Sequence, residues 1–424
     1  MNPVELTKEL VSINSANPFK TIKVGGQTIG IGNEQEIVKY LEKKLISAGF
    51  SVKKQLVQEE EITEDERGRR IVIPQRYNLL AEKGIGDSSL LFFGHIDTVD
   101  VKNGWSSDPF EPTIKIVDGK ERIYGLGSND MKGGISTIVA ATSRIDPKEY
   151  KIKVAFLADE EFWSFGAVEL LKSDFLDDVK AAIVPEIGES DRRTNSQGII
   201  LGRMGRTEYH FSITGKAAHG ALARESKDAI NAIHESVKLQ KKIIEYCEKC
   251  EKEFSHGNIH LKNSAFINHH DGGKGILSIS ENASFNLDRS FVMNENMDEE
   301  INILRNIVKE CHQDETLNPN TKVEISERRA TPAAKPYFVS PEHPFVKFVT
   351  KKVMDHYGNY EYGIGYSVAD ENRIANLNIP TIVLGPIGSD CHSPDEWVDV
   401  ESLNTLTKTY IDICESFPRY LAEQ

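Results

Sequence analysis

His95, Asp97, Asp130, the pair Glu160 and Glu161, Glu186 and His392 are the side chains of this sequence that could do chemistry together. Imidazole and carboxylate donors suit zinc-like divalent cations, and a carboxylate with two oxygens can be shared between two of them. Each candidate stands near a short apolar run. Leu90-Leu91-Phe92-Phe93 leads into Gly94-His95-Ile96-Asp97, Val154 to Leu157 into Ala158-Asp159-Glu160-Glu161, and Ala181 to Val184 into Pro185-Glu186. His392 follows Thr381 to Leu384. Strand ends hold such groups firmly enough for two metals to share them, and five donor sets of this kind rarely arise in one chain by chance.

Spacing suggests a role for each. The period of two in a strand puts His95 and Asp97 on one face, which makes His95 a ligand and Asp97 the carboxylate that orients its imidazole. Alone, that pair reads equally well as a histidine bonded in a turn. Tyr124-Gly125-Leu126-Gly127-Ser128-Asn129-Asp130-Met131-Lys132-Gly133-Gly134 places Asp130 at a loop-to-helix junction, where it can bridge two cations. A dinucleotide fingerprint would need a glycine where Asn129 or Asp130 stands. Three adjacent acids at 159–161 repel unless a cation sits among them. Glu161 is then a ligand and Glu160 a general base for a water whose pKa a cation lowers to about 7. A solvated acidic helix start competes with that assignment. Glu186 and Glu189 compete for one ligand position, and Gly365-Tyr366-Ser367-Val368-Ala369 lacks the closing glycine of a nucleophile elbow.

The elements that must position these groups follow from periodicity. Asn33 to Gly49 has helical spacing, and Phe50 to Val57, Tyr77 to Ala81, Leu90 to Phe93, Lys151 to Leu157 and Ala181 to Val184 read as strands. Such alternation predicts an α/β sheet covered by helices. From Arg206 the order becomes strand (207–214), helix (227–251), strands (265–268 and 283–287), helix (298–311) and strand (322–326), which is ferredoxin-like. After Pro332 and Pro336 the α/β character resumes with a helix at 344–356. At 424 residues two domains are expected, the second inserted in the first.

A formal net charge of -14, spread along the chain, excludes a nucleic-acid partner that needs a basic footprint. No apolar run approaches the roughly 20 residues of a membrane span, and the amino terminus lacks an export-signal pattern, so a cytoplasmic protein is expected. Five scattered cysteines fit reduced thiols, and Cys247-x-x-Cys250 lies in Lys-Glu-rich helical sequence without a second pair.

Six segments together resemble one family: Gly94 to Asp97, Asn103-Gly104-Trp105-Ser106-Ser107-Asp108-Pro109-Phe110, Gly127 to Gly134, Asp159 to Glu161, Gly215-Lys216-Ala217-Ala218-His219, and His392 to Trp397. They occur in order along nearly the whole chain and are similar to the co-catalytic zinc exopeptidases and deacylases, which include acetylornithine deacetylase, succinyl-diaminopimelate desuccinylase, carboxypeptidase G and aminoacylase. The resemblance implies a catalytic α/β domain with a mixed sheet flanked by helices, residues 1–205 and 329–424. It implies an inserted ferredoxin-like α+β lid and dimerisation domain, residues 206–328. One divalent metal would take His95, Asp130 and Glu186, the other Asp130, Glu161 and His392; zinc is expected, with cobalt and manganese accepted by the same donors. Glu160 would be the base, His219 would cross a homodimer interface to stabilise an oxyanion, and Arg289 would hold the substrate carboxylate.

The implied reaction is hydrolysis of the amide bond of an N-acyl amino acid, as in acetylornithine deacetylase. A dipeptidase or carboxypeptidase acting on short peptides is the nearest alternative, and a catalytically inactive small-molecule binder is the alternative from another class. Two departures fall where substrate is read. Gly272-Gly273 leads to Gly275-Ile276-Leu277-Ser278 instead of Asn-Val-Pro-like residues, and Ser290 stands where many relatives have a second arginine.

Overall fold

A computed structural model describes residues 1–17, 21–24, 27–30, 34–64, 70–186, 197–222, 225–226, 228–273, 275, 277–328 and 330–424. They form two units, one of Met1–Arg203, Phe338–Gly365 and Ala369–Gln424, the other of Met204–Tyr337 and Tyr366–Val368.

The first unit is built on a mixed sheet. Its middle is parallel: Lys151–Leu157, Ser89–His95, Val179–Val184 and Thr381–Val383 lie side by side. Arg76–Gly84 and Ser51–Gln58 add antiparallel strands on one side, while Gln197–Arg203 and Tyr360–Gly365 extend the other. Every residue of Ser89–His95 is buried, as a parallel strand covered on both faces requires. The helix Gly133–Thr142 is buried at all its positions, and it packs against the helices Pro3–Val11 and Val400–Ala422. From the last of these, Tyr410 meets Phe92 with ring centroids 5.0 Å apart.

Register decides where the acids go. Leu157 pairs with His95 and Ile183 with Phe92, so the three parallel strands finish on the same edge of the sheet. That edge, beyond the carboxyl ends of parallel strands, is where open α/β sheets place their sites. A small antiparallel sheet supplies the remaining connection. It runs Gly388–Ser389, Trp397–Asp399, Lys120–Tyr124, Thr113–Val117, and its pairing of Trp397 with Tyr124 sets the His392 loop beside the segment that continues to Asp130. Gly134 matters for the same reason: a Cβ there would overlap the Pro185 carbonyl, so only glycine lets the Gly133–Thr142 helix start against the residue before Glu186.

The second unit has Gly205–Thr214, Ser264–Gly272, Asn282–Phe291 and Lys322–Glu327 in the antiparallel order Ser264–Gly272, Asn282–Phe291, Gly205–Thr214, Lys322–Glu327. With the helices Ala232–Lys249 and Met297–Gln313 this is the ferredoxin-like arrangement. Alternate residues Tyr209, Phe211, Ile213 and Ala283, Phe285, Leu287 face Leu239, Ile243 and Leu304 of the helices. Asn231 and Asn296 cap the two helices through their side chains.

Two expectations change here. The long helix stops at Lys249 and is followed by a hairpin, Glu253–His256 with Ile259–Lys262, that its Lys-Glu-rich surroundings concealed. Residues 330–337, assigned above to the discontinuous unit, belong with the second, where the Arg206 N–H donates to the Ala334 carbonyl and Gly205 leaves room for Pro336. Cys247 and Cys250 are free thiols at the end of the helix, and burial pushes the Cys247 thiol up to about 12. No described helix is long and apolar enough to cross a membrane.

Phe211 and Phe285 stack with centroids 4.4 Å apart, both fully buried. Phe285→Ala is expected to cost about 3–5 kcal/mol in urea-monitored unfolding, because a fully enclosed ring leaves a cavity its neighbours cannot fill. A loss under about 1 kcal/mol would contradict this packing.

Candidate metal centre

Asp130 stands between two histidines. Its Oδ1 lies 3.0 Å from His95 Nε2, and its Oδ2 lies 3.1 Å from His392 Nε2. Glu186 Oε1 approaches the same His95 nitrogen at 3.4 Å, and Glu161 Oε2 approaches His392 Nε2 at 3.0 Å. Two donors each about 2.0–2.1 Å from a tetrahedral ion stand about 3.3–3.4 Å apart; the Glu186 to His95 spacing matches that, and the other three, at 3.0–3.1 Å, are hydrogen-bond distances between the same donors. A nitrogen and two carboxylates on each side, with Asp130 common to both, match the donor chemistry of a dinuclear divalent centre. Glu161 Oε1 supports the fit independently, being buried without a hydrogen-bond partner. Ligand atoms of His95, Glu160 and Glu186 also lie within 4.8 Å of one another, which puts Glu160 beside the centre. Glu189 falls outside the described residues.

Electrostatics point the same way. Burial, with the charges of Glu186 and Asp370, pushes Glu160 well above the usual carboxylate range; burial and the charge of Asp130 push Glu161 up to about 7. Hydrogen bonds to Asp130 and Glu161 raise His392 to about 10. Burial alone would lower His95, yet hydrogen bonds to Asp130 and Glu186 raise it. Burial would likewise raise Asp130, but His392 and His95 draw it below its ordinary range. Crowded acids that resist ionisation are what a divalent cation relieves.

The surrounding groups hold these ligands in place. The Glu396 carboxylate accepts the backbone N–H groups of Gly127, Asn129 and Asp130, each at 2.8 Å. It thereby ties the His392 loop to the Asp130 segment. Asp97 departs from its expected role: His95 Nδ1 bonds the Asp97 backbone carbonyl at 3.0 Å, while the nearer carboxylate oxygen is 3.7 Å away. The strand ends at His95, and the Asp97 carboxylate instead accepts the N–H groups of Glu160 and Glu161, at 3.1 and 3.2 Å, and the Asn17 amide. Asn17 also bonds Asp159, which pairs at 2.7 Å with Arg76, itself paired with Glu34. Removing one member of such a buried pair typically costs about 3–5 kcal/mol.

Arg289 does not serve as a surface carboxylate reader. It is 1% exposed, bonds Glu295 at 2.5 Å and Glu300 at 3.1 Å, and lies over the Phe291 ring. Alternation along Asn282–Phe291 sends Arg289 to the helix side with Leu287 and Phe291, and Ser290 to the other face. His219 is exposed in the second unit, its backbone paired with Ser278.

Of the groups absent from the sequence reading, Glu396 lies in the quoted His392 to Trp397 run and so had a local signal. Asn17, Arg76, Glu34, Arg203 and Glu371 had none, since their partners are distant along the chain.

A family model described as peptidase family M20/M25/M40 matches residues 91–416. Acetylornithine deacetylase of Vibrio campbellii (strain ATCC BAA-1116) is 27% identical over 355 residues, covering 81% of this chain and 86% of that protein. Succinyl-diaminopimelate desuccinylase of Pelagibacter ubique (strain HTCC1062) is 25% identical over 429 residues, covering 98% and 99%. Among solved structures, a tripeptidase from Staphylococcus aureus subsp. aureus Mu50 is similar with a TM-score of 0.70 and 18% identity, covering 99% of this chain and 98% of that one. The YXEP protein of Bacillus subtilis, a dinuclear metal-binding peptidase of the M20 family, is similar with a TM-score of 0.61 and 14% identity, covering 97% and 96%. With the family model spanning most of its length, the chain belongs to peptidase family M20/M25/M40 and is a hydrolase of that family.

Proposed function

We propose that this hydrolase cleaves the amide bond of an N-acyl amino acid, using two divalent ions, zinc in the first instance. The observation that carries the proposal is Asp130 facing His95 with one oxygen and His392 with the other. His95, Asp130 and Glu186 would hold one ion; Asp130, Glu161 and His392 would hold the second. When bound, the ions polarise the scissile carbonyl and lower the pKa of a nearby water to about 7.

The chain's own groups do the rest. Glu160 takes the proton of the attacking water and delivers it to the leaving nitrogen, standing beside the ligand atoms of His95 and Glu186. The Asp97 carboxylate fixes the turn on which Glu160 stands by accepting its N–H. An exposed His219 on the second unit would assist the oxyanion in the active site of the partner subunit, in a homodimer formed through the lid. The similarity to acetylornithine deacetylases favours acyl-amino-acid substrates, and the likeness to a tripeptidase fold keeps short peptides as the second reading. A cytoplasmic setting fits such metabolic substrates.

Several outcomes are expected. Asp130→Ala should bind neither ion in calorimetric titration of chelator-stripped protein, whereas His392→Ala should lose one equivalent; two equivalents in Asp130→Ala would defeat the bridge. Glu160→Gln should keep both ions and lose about 10²–10⁴-fold in turnover of acetylated amino acids or dipeptides. Turnover within threefold of the parent would remove Glu160 as base. Sedimentation should find a dimer, and His219→Ala should lower turnover without changing ion uptake; a fully active monomer would exclude the cross-subunit role.

A further inference from the structure

We propose that Arg203 is the positioning residue of the Glu186 ligand and thereby controls one of the two metal positions and not the other. The proposal rests on the dinuclear reading above. Arg203 ends the strand Gln197–Arg203, and its Nη2 donates to Glu186 Oε2 at 2.5 Å. The other oxygen of Glu186 is the one that stands 3.4 Å from His95 Nε2. Arg203 Nε is paired with Glu371, at the start of the helix Glu371–Ala375. The Arg203 and Glu371 side chains are 6% and 1% exposed.

A guanidinium carries five N–H donors in one rigid plane. With Glu371 held at Nε, that plane is set, and the neighbouring Nη2 meets Glu186 from a fixed direction. The Glu186 carboxylate is then confined to one rotation, with Oε2 on the arginine and Oε1 turned toward His95. Three elements of the first unit converge to achieve this: the end of Val179–Val184, the end of Gln197–Arg203 and the start of Glu371–Ala375. Glu161, the corresponding carboxylate of the second position, is held differently. Its Oε2 faces His392, and its Oε1 is buried with no hydrogen-bond partner, arginine included. The influence of Arg203 therefore falls on the position served by Glu186.

Lysine keeps the charge but offers a compact ammonium in place of a fork, so it cannot fix both carboxylates in one plane. Loss of a hydrogen-bonding partner behind a metal ligand typically costs 10–100-fold in metal affinity. The test is calorimetric titration of zinc into chelator-stripped, full-length protein, in competition with a chelator, for the parent, Arg203→Lys and Arg203→Met. The parent should take up two equivalents. Arg203→Lys should retain one within threefold of the parent affinity and bind the other about 10–100-fold more weakly. Cobalt absorption spectra, recorded after the first and second equivalents, should change for one only.

Lys352→Met, which breaks a pair with Asp412 and a bond to Ser416, serves as the control for stability. It should lower the melting temperature and leave both affinities unchanged. Arg203→Met removes the charge as well, and Arg203→Lys decides the matter if Arg203→Met does not fold. Two parent-like affinities in folded Arg203→Lys would overturn the positioning role while leaving the dinuclear reading intact. Fewer than two equivalents in the parent would instead overturn that reading, and this proposal with it.

Discussion

The centre depends on one carboxylate, Asp130, meeting two imidazoles at once, one on each oxygen. That geometry needs two parts of the chain brought together from opposite ends. His95 comes from the middle strand of a buried parallel set, and His392 from a loop near the carboxyl end. Glu396 accepts the backbone N–H groups of Gly127, Asn129 and Asp130, which makes the His392 loop and the Asp130 segment one piece. Around them the parallel register brings Glu160, Glu161 and Glu186 to the same sheet edge.

Concentrating so many acids in a buried place would destabilise a fold that offered them nothing. Two kinds of positive partner answer this. Arginines behind the centre neutralise the acids that face away from it: Arg76 serves Glu34 and Asp159, and Arg203 serves Glu186 and Glu371. The acids that face inward, Glu160 and Glu161, are left with raised proton affinities by burial and neighbouring acids, a repulsion that a positive charge among them would relieve. The surrounding acids are thus paired with arginines, and the inward acids are the ones that the proposed chemistry uses. Glu186 belongs to both sets, with one oxygen on each side.

The strand-end donors were legible because local sequence carries them: an apolar run followed by His or Glu says both that a strand is buried and where it stops. The ferredoxin-like unit was legible for a similar reason, since Phe211, Phe285 and their alternating neighbours repeat with a period of two. Arg289 shows where that legibility ends. Its type suited carboxylate recognition, but the strand's alternation, readable from the same residues, turns it toward Glu295 and Glu300 in the core. Asp97 shows another limit. The two-residue spacing presumed that the strand continues to it, whereas the strand ends at His95 and frees the carboxylate to hold the Glu160 turn. Asn17, Arg76 and Glu396 act through contacts 80 or more residues away, and Arg76 with Glu34 through one of 42, separations that local patterns do not encode.

Anomalous diffraction from crystals soaked in zinc tests the shared carboxylate most directly. Two peaks about 3.5–4 Å apart are expected, one on each oxygen of Asp130, flanked by His95 and Glu186 on one side and by Glu161 and His392 on the other. A single peak, or peaks whose nearest ligands exclude Asp130, would contradict the account.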